Sequence, residues 1–304
     1  MNEGKMTYVL ITPARNEAAY IEKTIQSVIQ QTDLPMRWVI VNDGSTDNTS
    51  EIVRRYLPDH PWMVLVDLPV RKERHFAAKV NAFNAGRERV RDIDFKIIGN
   101  LDADVSFDPD YFEFLLEKFV QDPKLGVAGT IFKEEGYSSD SDSWEGQNHV
   151  AGAAQMFRAE CFEQIGGYRP HKAGGIDWIA VTTARMLGWK TRAFREKSLF
   201  HYRSLGTAER SQLASNFSYG EKDYYLGNHP LWEIFRVAYW MVKRPVSGIA
   251  LGAGYLWGMF TREPRPVSPE LMRFHRHEQM QKLRGILASL ITFKRYRRFE
   301  PSAN

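Results

Sequence analysis

Two aspartates stand one residue apart where a short apolar run ends. The segment KIIGNLDADVSFDP places Asp102 and Asp104 directly after what its pattern predicts to be a buried strand. Carboxylates this close repel each other and are costly to desolvate, so a positive partner is expected between them. Carboxylates at this spacing can bind one hard cation, Mg²⁺ or Mn²⁺, which usually completes its shell with water and phosphate oxygens. A solvated acidic turn is the alternative.

Other polar residues follow further predicted strands. The segment TPARNE brings Pro13, Arg15 and Glu17 to the end of the first strand, and Asp43 in NDGSTD ends the second. Asp43 could accept a hydrogen bond from a base or a ribose, although Asp-Gly-Ser also forms ordinary turns. Lys79, at the start of a predicted helix, could reach a phosphate, and its alternative is a surface lysine with a packed stem.

The elements that position these residues alternate along the chain. The strand-like runs are YVLIT, RWVIVN, WMVLVDL and KIIGNL, and stretches with helical periodicity lie between them. Continuous apolar strands separated by amphipathic helices predict a mainly parallel sheet covered on both faces. Ligands bind such sheets at the carboxyl ends of the strands. We therefore expect the polar segments after the first, second and fourth strands to form one site.

Motifs and cysteine usage exclude several classes. The chain contains no G-x-x-x-x-G-K-[ST] and no G-x-G-x-x-G, which disfavours ATP binding by a P-loop and a Rossmann dinucleotide site. The single cysteine, Cys161, excludes an internal disulfide and a cysteine-rich metal site. The N-terminal stretch has no apolar run long enough for a signal peptide, so we expect cytoplasmic residence.

The charge is unevenly distributed. Residues 1–189 carry 21 Lys and Arg against 28 Asp and Glu, whereas residues 190–304 carry 20 against 9. A basic C-terminal part suggests an anionic partner. Within it, residues 245–261 are uncharged, a length at the lower limit for a spanning helix. Four glycines weaken this helix but are spaced for close helix packing: Gly248, Gly252, Gly254 and Gly258.

Two interpretations of this part stay open. One is a helical cap packed on the rest of the protein. The other is a surface-lying membrane element, which the charge asymmetry favours. The basic residues that flank the uncharged run are Lys243, Arg244, Arg262 and Arg265.

Several separated segments together carry a family resemblance. TPARNEAAYIEKTIQSVIQQ, WVIVNDGSTDNT, AKVNAFNAG, NLDADV, GAAQMFRAECFEQIGGY and GGIDW follow one another in the order found in family 2 glycosyltransferases. The chain resembles this family over residues 7–205. The resemblance implies a GT-A catalytic domain over residues 1–205, with a mainly parallel central sheet and helices on both faces. A basic, aromatic-rich helical region over residues 206–304 follows it.

The resemblance also implies a chemistry. It implies a nucleotide-diphosphate sugar donor, a divalent cation (Mg²⁺ or Mn²⁺) and inversion at the anomeric carbon. By the same resemblance Asp43 contacts the nucleotide, and Asp102 and Asp104 form the metal-binding D-x-D. The expected donor-binding residues are Pro13, Arg15, Glu17, Asp43, Lys79, Asp102 and Ala103.

Direct displacement also needs a base for the acceptor hydroxyl proton. In the family this base is an aspartate of an acidic pair ahead of a helix. The matching segment AGGIDWIAV offers Asp177, with Ile176 where the second acidic residue is usual. Asp177 as a plain N-cap is the alternative. His201, after the last predicted strand, is a candidate metal ligand because related enzymes place a metal or diphosphate ligand there, and Arg203 could meet the diphosphate.

We therefore predict an inverting, metal-dependent glycosyltransferase at the inner face of the cell membrane. It would act on a sugar or lipid-linked acceptor in surface polysaccharide or glycolipid synthesis. A sugar-phosphate nucleotidylyltransferase would carry a Gly-rich basic loop after the first strand, which TPARNE is not. A non-catalytic GT-A binding or scaffold module would tolerate losing Asp102, Asp104 and Asp177, which are all present. A nucleic-acid-binding protein would explain the basic tail, but its aromatic, Gly-spaced segment suits lipid or helix packing better.

Overall fold

The computed structural model describes residues 6–70, 76–139, 146–171, 174–203, 212–262 and 264–292. The chain divides into two compact units, Met1–Arg203 and Ser204–Asn304. The domain boundary expected at residue 205 lies outside the described residues. Each unit is described by itself.

The first unit is a sheet with helices between its strands. The strands are β1 (Tyr8–Ala14), β2 (Arg37–Asn42), β3 (Met63–Asp67), β4 (Ile97–Leu101), β5 (Val105–Phe107), β6 (Leu125–Glu134), β7 (Tyr137–Ser138), β8 (Ala154–Arg158) and β9 (Lys190–His201). The helices are α1 (Ile21–Ile29), α2 (Thr49–Arg54), α3 (Phe76–Glu88), α4 (Tyr111–Gln121), α5 (Ala159–Gln164) and α6 (Ile176–Met186). The strand order is β3-β2-β1-β4-β8-β6-β9-β5, with β7 paired to β6.

The predicted parallel part of the sheet is confirmed. Strands β3, β2, β1 and β4 are neighbours and run parallel. Alternate residues of β1 enter two separate cores, because successive side chains of a strand point to opposite faces. Leu10 packs in one core with Ile25, and Val9 and Ile11 pack in the other with Phe83. Helices therefore cover both faces, and this explains why these strands are apolar throughout.

Beyond β4 the sheet is mixed rather than parallel. Strand β8 pairs antiparallel with β4 and β6, whereas β9 runs parallel to β6 and antiparallel to β5. Strands β5, β6 and β7 were not predicted from the sequence. Strand β5 has only three residues, so its pairing with β9 leaves no periodic signal in the sequence.

The second unit is helical, as predicted. Its helices are α7 (Gln212–Tyr225), α8 (Pro230–Lys243), α9 (Pro245–Thr261) and α10 (Pro269–Thr292). No helix in the described part of the chain combines the length and the apolar character that crossing a bilayer requires.

The close helix packing predicted from the glycines of α9 is confirmed. A Cβ atom on Gly254 would lie 2.0 Å from the main-chain oxygen of Phe217 in α7. A Cβ atom on Gly220 of α7 would likewise lie 2.0 Å from the main-chain oxygen of Leu251 in α9. The two backbones thus touch where both residues lack a side chain. Close packing, and not helix propensity, accounts for glycine at these positions.

Substituting Gly254 with alanine is expected to destabilise the second unit by about 1–3 kcal/mol, the usual effect of overpacking. Alanine favours a helix by up to about 1 kcal/mol over glycine, so the loss must come from the contact with Phe217. The matched control is Gly252→Ala, whose Cβ atom would meet only Val237 methyl groups at 3.4 Å. Chemical denaturation of the full chain, followed by circular dichroism, measures both variants. Equal stability of the two variants would contradict the packing argument.

Candidate active site

The D-x-D segment joins a central strand to an edge strand. Asp102 directly follows β4 and donates its main-chain N–H to the oxygen of Ala153 over 2.8 Å. Asp104 directly precedes β5, and its main-chain oxygen accepts the N–H of Tyr202 over 2.9 Å. The backbone is therefore fixed on both sides of Ala103. The Asp102 side chain is 21% exposed and that of Asp104 is 9% exposed, so only the first carboxylate is open to solvent.

His201 lies opposite this segment. It was expected to follow the last strand, but it is the last residue of β9 and pairs with Val105. Strand β9 extends this far because β5 provides a partner for its end. Nε2 of His201 lies 3.5 Å from Oδ1 of Asp104, and Nε of Arg203 lies 4.0 Å from Oδ2 of the same carboxylate.

The side chains around Asp104 fit a divalent cation. One potential ligand atom from each of Asp102, Asp104 and His201 lies within 4.8 Å of the others. Nδ1 of the buried His201 lies 3.5 Å from Oε1 of Glu134 and has no hydrogen-bond partner among the described residues. A histidine that ligates a metal typically faces a carboxylate with its other ring nitrogen. Sequence reasoning missed Glu134, because nothing in β6 marks it as different from a surface residue.

The charges around Asp104 are only partly balanced. Burial and the neighbouring Asp102 carboxylate raise the pKa of Asp104. His201, Arg203 and Lys79 act in the opposite direction but do not offset them fully. Ionised Asp104 is therefore less stable than an aspartate in water, and a further positive charge at this position would stabilise it.

Lys79 provides one positive partner. It lies in the first turn of α3, and its Nζ atom is 2.5 Å from Oδ1 of Asp102. Burial disfavours the ammonium, but the adjacent Asp102 outweighs it and raises the pKa of Lys79. Lys79 thus pairs with an aspartate of the D-x-D segment, while its side chain is 38% exposed. The positive charge expected beside the aspartates is supplied in part by the chain itself.

The residues after β1 and β2 lie at the same edge of the sheet, because these strands and β4 run parallel. Pro13 is the penultimate residue of β1, and Arg15 directly follows the strand. Asp43 directly follows β2, is buried, and donates its main-chain N–H to Ala14 over 2.8 Å. Glu17 accepts a hydrogen bond from Nη2 of Arg203 over 2.7 Å. Because Arg203 also approaches Asp104, it connects the β1 end to the D-x-D segment.

Hydrogen bonds tie the two loops together. The side-chain oxygen of Asn16 accepts the main-chain N–H of Thr46 over 2.8 Å. The main-chain N–H of Glu17 in turn donates to the hydroxyl of Thr49 over 2.9 Å. Asn16 has a positive φ of 56°, which asparagine tolerates better than most residues. These bonds hold the TPARNE and NDGSTD segments in one arrangement.

Asp177 lies in the same region. It is the second residue of α6, and the N-cap position is occupied by Gly175 with a φ of 79°. The alternative of Asp177 as a plain N-cap is therefore wrong. A Cβ atom on Gly152 would lie 3.1 Å from Oδ2 of Asp177, so this carboxylate lies against the loop whose Ala153 holds Asp102. Its charge also contributes to the raised pKa of Lys79.

Comparison with known proteins identifies relatives for the first unit. The family model for glycosyl transferase family 2 matches residues 9–180. Poly-beta-1,6-N-acetyl-D-glucosamine synthase of Staphylococcus epidermidis is 26% identical over an alignment of 209 residues, which covers 62% of this chain and 47% of the relative. The protein of the same name from Staphylococcus aureus (strain COL) is 32% identical over 112 residues, 37% of this chain and 25% of the relative. The chain thus spans half or less of the length of these curated relatives.

Solved structures support the same fold. Mannosyltransferase PcManGT from Pyrobaculum calidifontis, in complex with GDP-Man and Mn²⁺, has a TM-score of 0.55 at 19% identity. The superposition covers 94% of this chain and 87% of the PcManGT chain. S. aureus TarS 1-349, in complex with UDP-GlcNAc, has a TM-score of 0.54 at 15% identity, and the superposition covers 96% of this chain and 93% of the TarS chain. At these identities the likeness shows the GT-A fold alone. The family model covers more than half of the chain, and the protein therefore belongs to glycosyl transferase family 2.

Proposed function

We propose that this protein is an inverting glycosyltransferase, which moves a sugar from a nucleoside-diphosphate donor to a hydroxyl group of an acceptor. The observation that carries the proposal is the convergence of Asp102, Asp104, His201 and Lys79 with Asp177 around the carboxyl end of β4. Family membership supports it, as do fold neighbours solved with GDP-Man and with UDP-GlcNAc.

The donor would bind across the ends of β1, β2 and β4. Asp43 accepts hydrogen bonds from the nucleoside, and Lys79 provides positive charge to the diphosphate. Ala103, between the two aspartates, would lie next to the sugar, but it is 3% exposed and packs in the core, so it offers little surface of its own. The residues that frame the nucleotide at the end of β1 are Pro13, Arg15 and Glu17.

The possible metal ligands suit Mn²⁺ or Mg²⁺. The residues that would hold this cation are Asp102, Asp104 and His201. When bound, such a cation supplies a positive charge that stabilises the leaving diphosphate. Glu134 would keep the His201 ring in a fixed orientation. Arg203, between Glu17 and Asp104, adds a second fixed positive charge at this edge.

Asp177 would act as the base. As the acceptor oxygen bonds to the anomeric carbon, its proton passes to the Asp177 carboxylate, and the bond from that carbon to the diphosphate oxygen breaks. The nucleoside diphosphate leaves with the electron pair of that bond. Attack opposite the leaving group inverts the anomeric configuration. The position of Asp177 on α6, a helix held by its buried face, would keep the carboxylate in place.

The acceptor would be a sugar or a lipid-linked saccharide of a surface polysaccharide or glycolipid. The names of the curated relatives, which are polysaccharide synthases, support this class. We further propose that the protein works at the inner face of the cell membrane, because its last 115 residues, 190–304, carry 20 Lys and Arg against 9 Asp and Glu.

A nucleotide-sugar is expected to raise the melting temperature of the protein in the presence of Mn²⁺. A ligand that binds only the folded state at a hundred times its dissociation constant adds about 2.7 kcal/mol to the free energy of unfolding. A panel of UDP- and GDP-sugars, each with Mn²⁺ and with EDTA, identifies the donor by the largest shift. Free sugars and nucleoside monophosphates serve as controls. The proposal is wrong if no nucleotide-sugar shifts the melting temperature more than these controls do.

A further inference from the structure

The second unit carries two apolar helix faces that face solvent. On α8 the exposed residues of one face are Leu231, Ile234, Ala238, Met241 and Val242. On α9 they are Val246, Ile249, Ala253, Leu256, Trp257 and Phe260. Both sets follow the spacing of residues on one side of a helix, and neither contains a charged residue. Val242 is 87% exposed and Phe260 is 83% exposed, so these are not merely the edges of a core.

The two faces lie on the same side of the helix pair. Gly248 contacts Met241, and Gly252 contacts Val237, so α8 and α9 lie side by side and run antiparallel. At about 100° per residue, the exposed row of α8 lies roughly 70° around its axis from the row that contacts α9. The exposed row of α9 lies roughly 110° from its contact row with α8. Because the helices run in opposite directions, both rotations lead to one side, which we call the α8–α9 face.

The opposite side of α9 is already occupied. Gly254 packs against Phe217 and Gly258 against the ring of Tyr224, both in α7. The glycine row therefore fixes which side of α9 is buried within the unit, and leaves the bulky apolar row outward. Soluble proteins rarely expose a continuous apolar patch of this kind unless it is a binding surface.

The charges around the α8–α9 face indicate what covers it. Lys243 and Arg244 lie exposed where the helices meet, and Arg262 lies exposed at the other end of α9. The single acidic residue of the two helices, Glu233, is buried and accepts a hydrogen bond from Asn228. If two copies of the protein docked through this face, all the charged residues around it would be basic and would repel one another. A lipid surface with anionic headgroups matches both the cations and the apolar row.

Aromatic residues add to this match. Trp257, which is 52% exposed, lies on the face itself. Tyrosine and tryptophan favour the boundary between headgroups and acyl chains, because one edge of the ring stays hydrated. Helix α9 is about 25 Å long at 1.5 Å per residue, and its outward residues extend over most of that length.

We propose that the α8–α9 face is a membrane-docking surface, which inserts its apolar row into one leaflet of an anionic bilayer while the flanking cations contact the headgroups. Insertion of apolar side chains, more than attraction of charges, would then hold the protein on the membrane. The inference specifies the membrane contact proposed above and does not depend on the transfer reaction.

Site-specific labelling tests insertion. Cys161 is buried, and burial raises the pKa of its thiol to about 12, so an engineered cysteine is the reactive one. The variant Phe260→Cys is labelled with an environment-sensitive fluorophore. The matched control is the labelled variant Val120→Cys, at an exposed position of the first unit. With vesicles of phosphatidylcholine and phosphatidylglycerol, the emission at position 260 should shift to the blue and be quenched by spin-labelled lipids. The control label should not change.

Co-sedimentation separates insertion from charge attraction. The variant Leu256→Gln, Trp257→Gln, Phe260→Gln should lower the ratio of vesicle-bound to free protein by roughly tenfold or more, because it removes apolar area and keeps the charge. The variant Leu34→Gln, Val120→Gln, Leu187→Gln, with three exposed apolar residues of the first unit, should bind as the wild type. The variant Lys243→Gln, Arg244→Gln, Arg262→Gln should lose the preference for anionic over neutral vesicles. Arg265 is left unchanged, because it packs over the Tyr224 ring at 4.4 Å.

Three results would overturn the inference. These are wild-type protein that stays in the supernatant with anionic vesicles, equal label response at positions 260 and 120, and unchanged vesicle binding of the apolar variant. A change in the oligomeric state of the apolar variant without loss of vesicle binding would instead make the face an interface between copies. Nucleotide-sugar binding, measured by melting temperature, should be the same in all these variants, so failure of docking is distinguishable from failure of the proposed transfer activity.

Discussion

Replacing Asp177 by asparagine is expected to lower the rate of sugar transfer by about two to four orders of magnitude, the usual scale for loss of a general base. The substitution is nearly isosteric and removes only the ability to accept the proton. Because Gly175 and not Asp177 caps α6, the helix should keep its start. Donor affinity should therefore persist while turnover falls, which steady-state kinetics and donor binding measure separately.

The matched control for this variant is Glu160→Gln. Glu160 is also the second residue of a helix, α5, but it lies on the surface and accepts a hydrogen bond from Gln164. It reports the loss of a negative charge near a helix N-terminus without any role in proton transfer. If Asp177→Asn keeps transfer within about tenfold of the wild type while chemistry limits the rate, Asp177 is not the base.

Replacing Asp104 by alanine is expected to abolish divalent-cation binding and to lower transfer by about three orders of magnitude or more. Metal ions contribute several kcal/mol to stabilising charge in a transition state, and each 1.36 kcal/mol is a factor of about ten in rate. The fold should remain, because removing a buried carboxylate relieves its desolvation, which is the largest cause of its raised pKa. Titration of the protein with Mn²⁺ alone, followed calorimetrically, measures the binding.

Asp108→Ala is the control for the metal prediction, because Asp108 is an exposed aspartate of the same segment. EDTA should reproduce the loss in the wild type and have no further effect on Asp104→Ala. The metal prediction is wrong if the wild type keeps full transfer activity in EDTA and Asp104→Ala binds Mn²⁺ as before. The basic side chains of the protein would then be sufficient to stabilise the leaving diphosphate. Lys79 and Arg203 would then be the positive partners that the paired aspartates require.

Several parts of this protein follow from local patterns in the sequence. The apolar runs of β1, β2, β3 and β4 predicted a parallel sheet, because only strands buried on both faces lack polar alternation. The polar segments after these strands were then expected at one edge, which the parallel pairing confirms. The glycine spacing in α9 predicted close helix packing, and its contacts with α7 and α8 confirm this. In each case the signal lies within one element or its immediate end.

The features that only tertiary structure decided depend on residues far apart in the chain. Pairing of β5 with β9 brings His201 to Asp104, and β6 brings Glu134 to His201, although no periodicity marks either approach. The pairing of Lys79 with Asp102 requires α3 to pack beside the end of β4.

The exposed apolar face also depends on tertiary packing. The composition of α8 and α9 was compatible both with a packed cap and with a membrane element. The contacts of Gly248 and Gly254 select which side of α9 is buried, and so leave Trp257 and Phe260 outward. A sequence specifies the apolar content of a helix, but the side that faces solvent is set by the neighbours against which the helix packs.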